Sequence, residues 1–146
     1  MTGRRARRGP QRPCPTPGCR GLHDLLEAAV RAGADAVQGP GEGGHRPCPV
    51  RLTTMVVDRL RLLGAAVIVS DRLDVALGAG TDGVHLGLAD LPVRPVRHLA
   101  PQVLLVGATY RNEQHARQAR DEGADYLGVR PVYATDTKQG LPGPVG

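Results

Sequence analysis

The stretch VIVSDRLDVALGAGTDGVHLGLAD, residues 67–90, decides the fold of this 146-residue chain. It contains two short apolar runs, Val67–Val69 and Val84–Leu86, and each run ends shortly before an aspartate, Asp71 or Asp90. About one short helix of sequence separates the two runs. Two buried parallel strands that are joined by a helical crossover have this pattern. Because the carboxyl ends of parallel strands meet at one edge of a sheet, we expect both carboxylates on the same rim.

The two aspartates allow two interpretations. Paired carboxylates on one rim suit a magnesium ion that also holds a phosphate, because Mg²⁺ prefers oxygen ligands. Alternatively, Asp71 and Asp90 cap the helices that follow them, since aspartate is a favoured N-cap residue. The spacing alone leaves both interpretations open.

A Gly-x-Asp turn recurs along the chain, beginning at Gly33, Gly80 and Gly123. In each copy a helix is predicted to end at the glycine, and a strand follows directly. Two further apolar runs add strands, so that the predicted strands are Ala36–Gln38, Val67–Val69, Val84–Leu86, Val103–Val106 and Tyr126–Val129. Helical periodicity is clear in two stripes, which are Leu22, Leu25, Leu26, Ala29 and Val30, and Leu52, Met55, Val56, Leu60 and Leu63. A weaker helix is predicted near residues 112–122.

Strands that alternate with helices predict an α/β fold with a parallel sheet. The regular spacing favours a TIM (β/α)₈-type barrel over a doubly wound sheet, and a small open α/β sandwich is the alternative. A complete barrel usually needs roughly 200 residues or more, whereas this chain has 146. We therefore expect an incomplete barrel of about five parallel strands over residues 21–146, without a first strand and two last strands.

Charge is concentrated at the start of the chain. The first twenty residues hold six arginines and no acidic residue, although the whole chain has 19 basic and 14 acidic residues. We expect residues 1–20 to be a disordered leader, and nucleic-acid binding by this tail is the alternative. The sequence shows neither a hydrophobic signal core nor a long apolar span, which predicts a cytoplasmic protein without membrane contact. Cys14, Cys19 and Cys48 have no standard zinc-finger spacing and are interpreted as reduced thiols.

Hydroxyl and ammonium groups follow two of the predicted strands. Thr135, Thr137 and Lys138 lie in the loop after the strand that ends at Val129, and Lys138 is the only lysine of the chain. Thr109 follows the strand that begins at Val103. Hydroxyls and an ammonium group at strand ends suit phosphate oxygens. The pattern predicts a rim that binds phosphate groups.

Three motifs together resemble the thiamine-phosphate synthase family. They are SDRLDVA at residues 70–76, DGVHLG at 82–87 with DLP at 90–92, and PVYATDTK at 131–138. The resemblance covers residues 22–146. It implies a TIM-barrel transferase that joins a hydroxymethylpyrimidine diphosphate to a thiazole phosphate with Mg²⁺, and that releases thiamine phosphate and pyrophosphate.

The resemblance also implies residue roles. Asp71 and Asp90 match the magnesium ligands of the family. Contacts to the substrate diphosphate are implied for Gln38, Thr109 and Lys138, of which Thr109 and Lys138 are the candidate catalytic residues. Ser70 stands where the family usually has asparagine, and Thr109 stands where serine is usual. Thr135 and Thr137 match the positions that bind the thiazole phosphate.

The chain departs from the family pattern after its first predicted strand. Residues 39–42 read Gly-Pro-Gly-Glu, where the family has leucine, arginine, an acid and lysine. Cations that bind the diphosphate are therefore missing from this loop. We expect a truncated or frameshifted gene, with the leader and the Gly/Pro loop out of frame, and impaired activity in this chain.

Two alternative functions stay open. The related thiazole tautomerase has a similar T-D-x-K loop and does not need the two aspartates. His85 is a candidate base for that reaction, although a strand histidine at this position is more often structural. The other alternative is a non-catalytic barrel remnant that binds nucleic acid through its basic tail, although we expect small-molecule substrates rather than nucleic acid, and allow for an oligomer.

Overall fold

Helices and strands alternate along the part of the chain that the computed structural model describes, which is residues 18–39, 49–101, 104–129 and 132. The helices are α1 (Gly18–Arg31), α2 (Pro49–Arg61), α3 (Leu73–Ala79), α4 (Val93–Leu99) and α5 (Glu113–Asp121). The strands are β1 (Ala36–Gly39), β2 (Ala66–Ser70), β3 (Gly83–Leu86), β4 (Leu105–Tyr110) and β5 (Tyr126–Val129). The first three residues of α1 belong to the range that was expected to be a disordered leader. The rest of that range lies outside the described residues.

The five strands form one parallel sheet in the order β1-β2-β3-β4-β5. In a doubly wound sheet the order reverses at a switch point, which places helices on both faces. Here the order never reverses, so the connecting helices lie on one face and the other face is concave, as in a (β/α) barrel. The prediction of an incomplete TIM-type barrel with five parallel strands is confirmed.

Aliphatic side chains on the convex face of the sheet form the main core against the helices. Val84 and Val106 from neighbouring strands are fully buried, and they belong to the same cluster as Val75 of α3 and Val96 of α4. Burying one such side chain stabilises the fold by about 1.5–3 kcal/mol. This cluster fixes the distance between the sheet and its helices.

A second cluster joins α1 and α2 to the start of the sheet. Its buried members are Val57, Leu60, Ala65 and Val67, with Leu26, Val30, Val37, Val56 and Leu63 packed against them. The predicted stripe of α1 was wrong at Leu25, which is 67% exposed. The predicted stripe of α2 missed Val57, which is 1% exposed and therefore among the most buried residues.

The Gly-x-Asp turns connect neighbouring strands at the amino-terminal edge of the sheet. Gly80 ends α3 in the left-handed conformation with φ 68°. The carboxylate of Asp82 accepts a hydrogen bond from Val67 N at 2.9 Å, and the carboxylate of Asp125 accepts one from Val106 N at 2.7 Å. These two turns therefore use the aspartate side chain to hold the beginning of the preceding strand, whereas Asp35 of the Gly33 turn accepts a hydrogen bond from Ala66 N on its backbone oxygen.

Arginines on the helices strengthen two of these turns. Arg97 of α4 donates hydrogen bonds to the carbonyl oxygens of Gly123 and Leu104, both at 2.8 Å, and forms an ion pair with Asp125. Arg61 of α2 donates to Gly80 O at 2.9 Å in the same manner. Among the described residues, no helix is both long and apolar enough to span a membrane.

Replacing Gly83 by alanine tests the pairing of β3 with β4. A Cβ atom at Gly83 would lie 2.7 Å from the carbonyl oxygen of Leu105, and a backbone atom cannot move without disturbing the strand. We expect Gly83→Ala to lower the free energy of unfolding by about 1–3 kcal/mol in urea titrations. Gly39→Ala is the matched control, because no atom of the described residues lies within 4 Å of a Cβ there. Equal stability of the two variants would contradict this packing.

Candidate functional site

Alternation along the strands brings polar side chains to the concave face of the sheet. Ser70, His85, Gly107 and Tyr126 occupy one row across β2 to β5, because each pairs with the next in the strand register. Thr109 lies one pleat further toward the carboxyl end of β4. The row is therefore polar, in contrast to the aliphatic convex face.

Two predicted substrate-binding residues meet at the ends of β1 and β2. The side-chain amide of Gln38 donates a hydrogen bond to the Ser70 hydroxyl at 2.9 Å. Gln38 is exposed and Ser70 is half-buried, so the pair lies at the open end of the concave face. The contact fixes both side chains on the same rim.

His85 connects three neighbouring strands through its two ring nitrogens. Its Nε2 lies 2.9 Å from the Thr109 hydroxyl, and its Nδ1 lies 3.1 Å from the Tyr126 hydroxyl. The histidine is only 4% exposed, so these hydrogen bonds offset the cost of burying the imidazole. A Cβ at Gly107 would lie 2.1 Å from Tyr126 Cζ, and a Cβ at Gly128 would lie 3.1 Å from His85 Cε1. The ring of Tyr126 therefore requires the glycine at position 107, and Gly128 relieves a close contact with the ring of His85.

Asp71 adopts an unusual backbone conformation directly after β2. Its φ is 67°, and it is the single non-glycine residue with positive φ among those described. Aspartate tolerates this left-handed region better than most residues, at a cost of about 1–2 kcal/mol. Its backbone N–H donates to His85 O at 2.8 Å, which extends the pairing of β2 and β3 past the strand end. The chain thus turns sharply while it is still attached to β3.

Neither aspartate occupies the N-cap position of the helix that follows it. The N-cap residues of α3 and α4 are Arg72 and Pro92, and neither side chain makes a capping hydrogen bond. Asp90 instead accepts a hydrogen bond on Oδ2 from Gly87 N at 2.6 Å, and its own N–H donates to Gly87 O at 3.2 Å. Asp90 therefore closes the turn after β3 and does not serve as the N-cap of α4.

The two carboxylates face a common space above Gly87. A Cβ built at Gly87 would lie 2.8 Å from Asp90 Oδ2 and 3.7 Å from Asp71 Oδ1. The two oxygens therefore cannot be further apart than these two distances together. The absence of a side chain at position 87 keeps this space open. Two half-buried carboxylates beside a residue without a side chain fit a hydrated Mg²⁺, which usually keeps several waters beside one or two carboxylate ligands.

The same geometry argues against a metal ion that needs many protein ligands. Within the described ranges, no group of three or more histidine, cysteine, aspartate or glutamate side chains could hold a metal ion together. Structural zinc sites need four such ligands. The donor set of Asp71 and Asp90 instead suits a hard cation whose remaining ligands come from water or phosphate.

Arg72 is oriented toward Asp74 at the start of α3. Its Nε and Nη2 donate to the two carboxylate oxygens of Asp74 at 2.7 and 2.5 Å. This hydrogen bonding lowers the pKa of Asp74 from 3.8 to about 2. The pair organises the first turn of the helix that follows Asp71.

A pocket of about 280 Å³ lies beside this rim, between α4 and α5. Asp90 and Thr109 contribute to its wall, and the rest of the lining is largely apolar, including Leu86, Val93 and Ala108. The pocket therefore extends from the polar strand ends toward the convex face.

Three predicted site residues lie outside the described residues. They are Thr135, Thr137 and Lys138, the predicted phosphate loop, and the Gly/Pro loop at residues 40–48 lies outside them as well. Among the described residues, the structure brings together two pairs, Gln38 with Ser70 and Asp71 with Asp90.

Sequence reasoning missed Tyr126 and the two glycines that make room for the rings. The role of Tyr126 follows from the β4–β5 register, in which it pairs directly with Gly107. A large aromatic residue opposite a glycine commonly covers the glycine backbone. The chain has only three tyrosines and no Phe or Trp, so an aromatic residue at a strand start is informative.

The fold defines a partial α/β barrel, and its polar side chains lie toward the carboxyl ends of its strands. The profile of the family described as thiamine monophosphate synthase matches residues 14–146. The chain therefore belongs to the thiamine monophosphate synthase family, as its motifs predicted.

Named relatives agree with this assignment. The chain is 44% identical over 129 residues to a thiamine-phosphate synthase of Gloeobacter violaceus. The matched region covers 86% of this chain and 36% of that protein. It is 40% identical over 132 residues to a thiamine-phosphate synthase of Solidesulfovibrio magneticus. Here the matched region covers 88% of this chain and 63% of that protein. This chain thus spans from about a third to less than two thirds of the lengths of these relatives.

A solved structure shows the same architecture. Thiamine phosphate pyrophosphorylase from Pyrococcus furiosus superposes with a TM-score of 0.63 at 34% sequence identity. The superposition covers 82% of this chain and 57% of that protein. The five-stranded sheet is therefore a partial barrel of this family's fold.

Replacing Asp90 separates its two properties, hydrogen bonding and charge. Asp90→Ala removes the acceptor of Gly87 N, and we expect a loss of about 1 kcal/mol in the free energy of unfolding. Asp90→Asn keeps a side-chain oxygen at the same position, and we expect nearly unchanged stability. Urea unfolding measures both variants, and equal destabilisation would show that the turn depends on the negative charge.

The ion pair of Arg72 with Asp74 predicts a pH effect. Since the pKa of Asp74 is lower in the folded state, the pair contributes stability above about pH 4, which is lost as the pH falls toward 2. The pair is exposed, so the contribution is small, on the order of 0.5 kcal/mol. In Arg72→Gln we expect the pKa of Asp74 to return toward 3.8 in a carboxyl ¹³C NMR titration. An unchanged titration curve would exclude Arg72 as the cause.

Proposed function

We propose that this chain belongs to an enzyme that couples a hydroxymethylpyrimidine diphosphate to a thiazole phosphate, as thiamine-phosphate synthases do. In this reaction the bond between the pyrimidine methylene carbon and the diphosphate oxygen breaks. The thiazole nitrogen bonds to the methylene carbon, and pyrophosphate leaves. The products are thiamine phosphate and pyrophosphate.

One observation carries the proposal: polar side chains from four consecutive strands converge on one end of the concave face. These side chains are Gln38 on β1, Ser70 at the end of β2 and Asp71 directly after it, Asp90 after β3, and Thr109 on β4. Amide and hydroxyl donors suit the oxygens of a diphosphate, and carboxylates suit the cation that accompanies it. The relatives named as thiamine-phosphate synthases support the same substrates.

Asp71 and Asp90 would hold a magnesium ion in the space above Gly87. When bound, the ion supplies positive charge that offsets the negative charge on the departing pyrophosphate. Gly87 contributes by having no side chain, and the left-handed turn at Asp71 directs the carboxylate to the same space. The protein therefore provides a charged edge rather than an acid or base.

The remaining residues bind and orient the two substrates. Gln38, Ser70 and Thr109 are proposed to bind the diphosphate, and Lys138 is proposed to stabilise charge on the same group. Thr135 and Thr137 are proposed to bind the thiazole phosphate. Holding both substrates in one site supplies much of the rate enhancement, because the bimolecular encounter becomes effectively unimolecular.

The setting of this reaction is proposed as well. Phosphorylated precursors of a cofactor are retained inside cells, so we place the protein in the cytoplasm. β1 and β5 each pair with one neighbour only in the described sheet. Open edges favour further strands or a second subunit beside them, so an oligomer or an assembly that completes the barrel is part of the proposal.

Thiamine phosphate formation by the purified chain tests the proposed function directly. We expect product only with both substrates and Mg²⁺, detected by mass spectrometry, and a decrease of at least tenfold in Lys138→Ala. Conversion of one thiazole phosphate isomer to another without the pyrimidine would support a tautomerase instead. Binding of RNA that disappears when residues 1–17 are deleted, without either reaction, would support the nucleic-acid-binding alternative.

Filling the space above Gly87 tests the proposed ion site without relying on turnover. We expect Mn²⁺, as a paramagnetic substitute for Mg²⁺, to broaden the backbone NMR signals of Asp71, Gly87 and Asp90 in the native chain. Gly87→Ala and Asp71→Asn should abolish this broadening, because one blocks the space and the other removes a charged ligand.

The matched control is Asp74→Asn, which removes a nearby carboxylate that pairs with Arg72 outside the space. We expect normal broadening in this variant. Broadening that persists in both Gly87→Ala and Asp71→Asn would place the ion elsewhere and reject this assignment.

A further inference from the structure

The contacts of His85 define a chain of hydrogen bonds whose direction has a chemical consequence. Tyr126, His85 and Thr109 are joined in sequence, at 3.1 Å through Nδ1 and 2.9 Å through Nε2. A neutral imidazole carries one N–H donor and one bare acceptor nitrogen. The two directions therefore differ in which hydroxyl donates to the ring and which hydroxyl accepts from it.

The two directions give Thr109 opposite properties. If the Thr109 hydroxyl donates to Nε2, its oxygen presents only lone pairs to the concave face. If Nε2–H donates to Thr109 Oγ1, the hydroxyl proton points away from the ring and can be given to a ligand. Phosphate oxygens accept hydrogen bonds and do not donate when ionised, so only the second direction suits a diphosphate.

The acidity of the two hydroxyls selects the same direction. A phenol has a pKa near 10 and is a much stronger acid than an aliphatic alcohol, so Tyr126 is the better donor to a bare ring nitrogen. Donation from Tyr126 to Nδ1 leaves the proton on Nε2. The partners of His85 on both sides therefore favour the Nε2–H form.

We propose that Tyr126 and His85 are positioning residues that hold the Thr109 hydroxyl as a hydrogen-bond donor toward an oxygen of the substrate diphosphate. This inference rests on the proposed function for the identity of the ligand, but not for the direction of the hydrogen bonds. The glycines at positions 107 and 128 leave room for the two rings at hydrogen-bonding distance. A side chain at position 107 would displace the Tyr126 ring, and one at position 128 would displace the His85 ring. His85 itself does not need to touch the substrate in this role.

The first test reads the direction of the hydrogen bonds directly. Long-range ¹H–¹⁵N NMR spectra distinguish a protonated ring nitrogen from a bare one by its ¹⁵N chemical shift. In the native chain we expect Nε2 of His85 to be protonated and Nδ1 to be bare. A protonated Nδ1 with a bare Nε2 would overturn the proposal, whether or not the chain is active.

The second test is a double-mutant cycle on ligand binding, with Mg²⁺-pyrophosphate as the probe. We expect Tyr126→Phe to weaken binding about threefold to tenfold, because the orientation of the Thr109 hydroxyl is no longer fixed. In a Thr109→Val background the same Tyr126→Phe change should have no further effect. Thr109→Ser should retain most of the native affinity, since it keeps the hydroxyl.

Outcomes of the cycle separate this inference from the proposed function. An equal loss of affinity from Tyr126→Phe with and without Thr109 would show a general structural effect and overturn the proposal, as would no loss in either background. Tyr110→Phe is the matched control, because it removes a tyrosine hydroxyl from β4 without touching His85 in the described contacts. If the native chain shows the Nε2–H form but binds no pyrophosphate, the proposed diphosphate ligand is wrong and only the direction of the hydrogen bonds through His85 is upheld.

Discussion

A buried imidazole whose two nitrogens both have partners ties three strands of this sheet together on the concave face. His85 of β3 reaches Thr109 on β4 and Tyr126 on β5. Burying such a ring without partners would cost several kcal/mol, so all three side chains depend on one another. The requirement extends to the backbone, because the Tyr126 ring requires Gly107 and Gly128 relieves a close contact with the His85 ring. Much of the polar row is therefore determined by the choice of one histidine.

The same strand determines the acidic part of the rim. The carbonyl oxygen of His85 accepts a hydrogen bond from the N–H of Asp71. The carboxylate of Asp90 accepts one from Gly87 N and thereby closes the turn after β3. Both aspartates are thus positioned by hydrogen bonds to the end of β3 and the turn after it. The strained backbone of Asp71 is tolerated because neighbouring hydrogen bonds hold it, which is typical of residues at functional sites. The left-handed backbone of Asp71 lowers the local stability, but it directs the Asp71 carboxylate to the space above Gly87.

Sequence patterns predicted the sheet well where strands are buried on both faces. β2 and β3 were found at the expected positions, because continuous aliphatic runs leave few alternatives. β4 begins at Leu105 rather than Val103 and continues to Tyr110. Gly107 and Ala108 interrupt the apolar run and carry little strand signal, and Leu105 N is fixed by a hydrogen bond to Asp82 O. Pairing with a neighbour, which a single sequence does not display, decided its bounds.

The candidate site was only partly accessible from the sequence. Spacing indicated that Asp71 and Asp90 share an edge, since parallel strands align their ends. It could not exclude helix capping, because that question depends on which atom each carboxylate contacts. Tyr126 was missed for a similar reason: its role arises from the strand register opposite Gly107 and not from its neighbours in the chain.

The bonds that hold the sheet together at its amino-terminal edge are separate from the rim that carries the polar side chains. Ala66 N donates to Asp35 O, so β1 is attached to β2 at the end far from the Gly/Pro sequence of residues 40–48. A change in the length or composition of that connecting segment can therefore leave the register of the first two strands intact. The pairing of β1 with β2 is thus fixed independently of the sequence that joins β1 to α2.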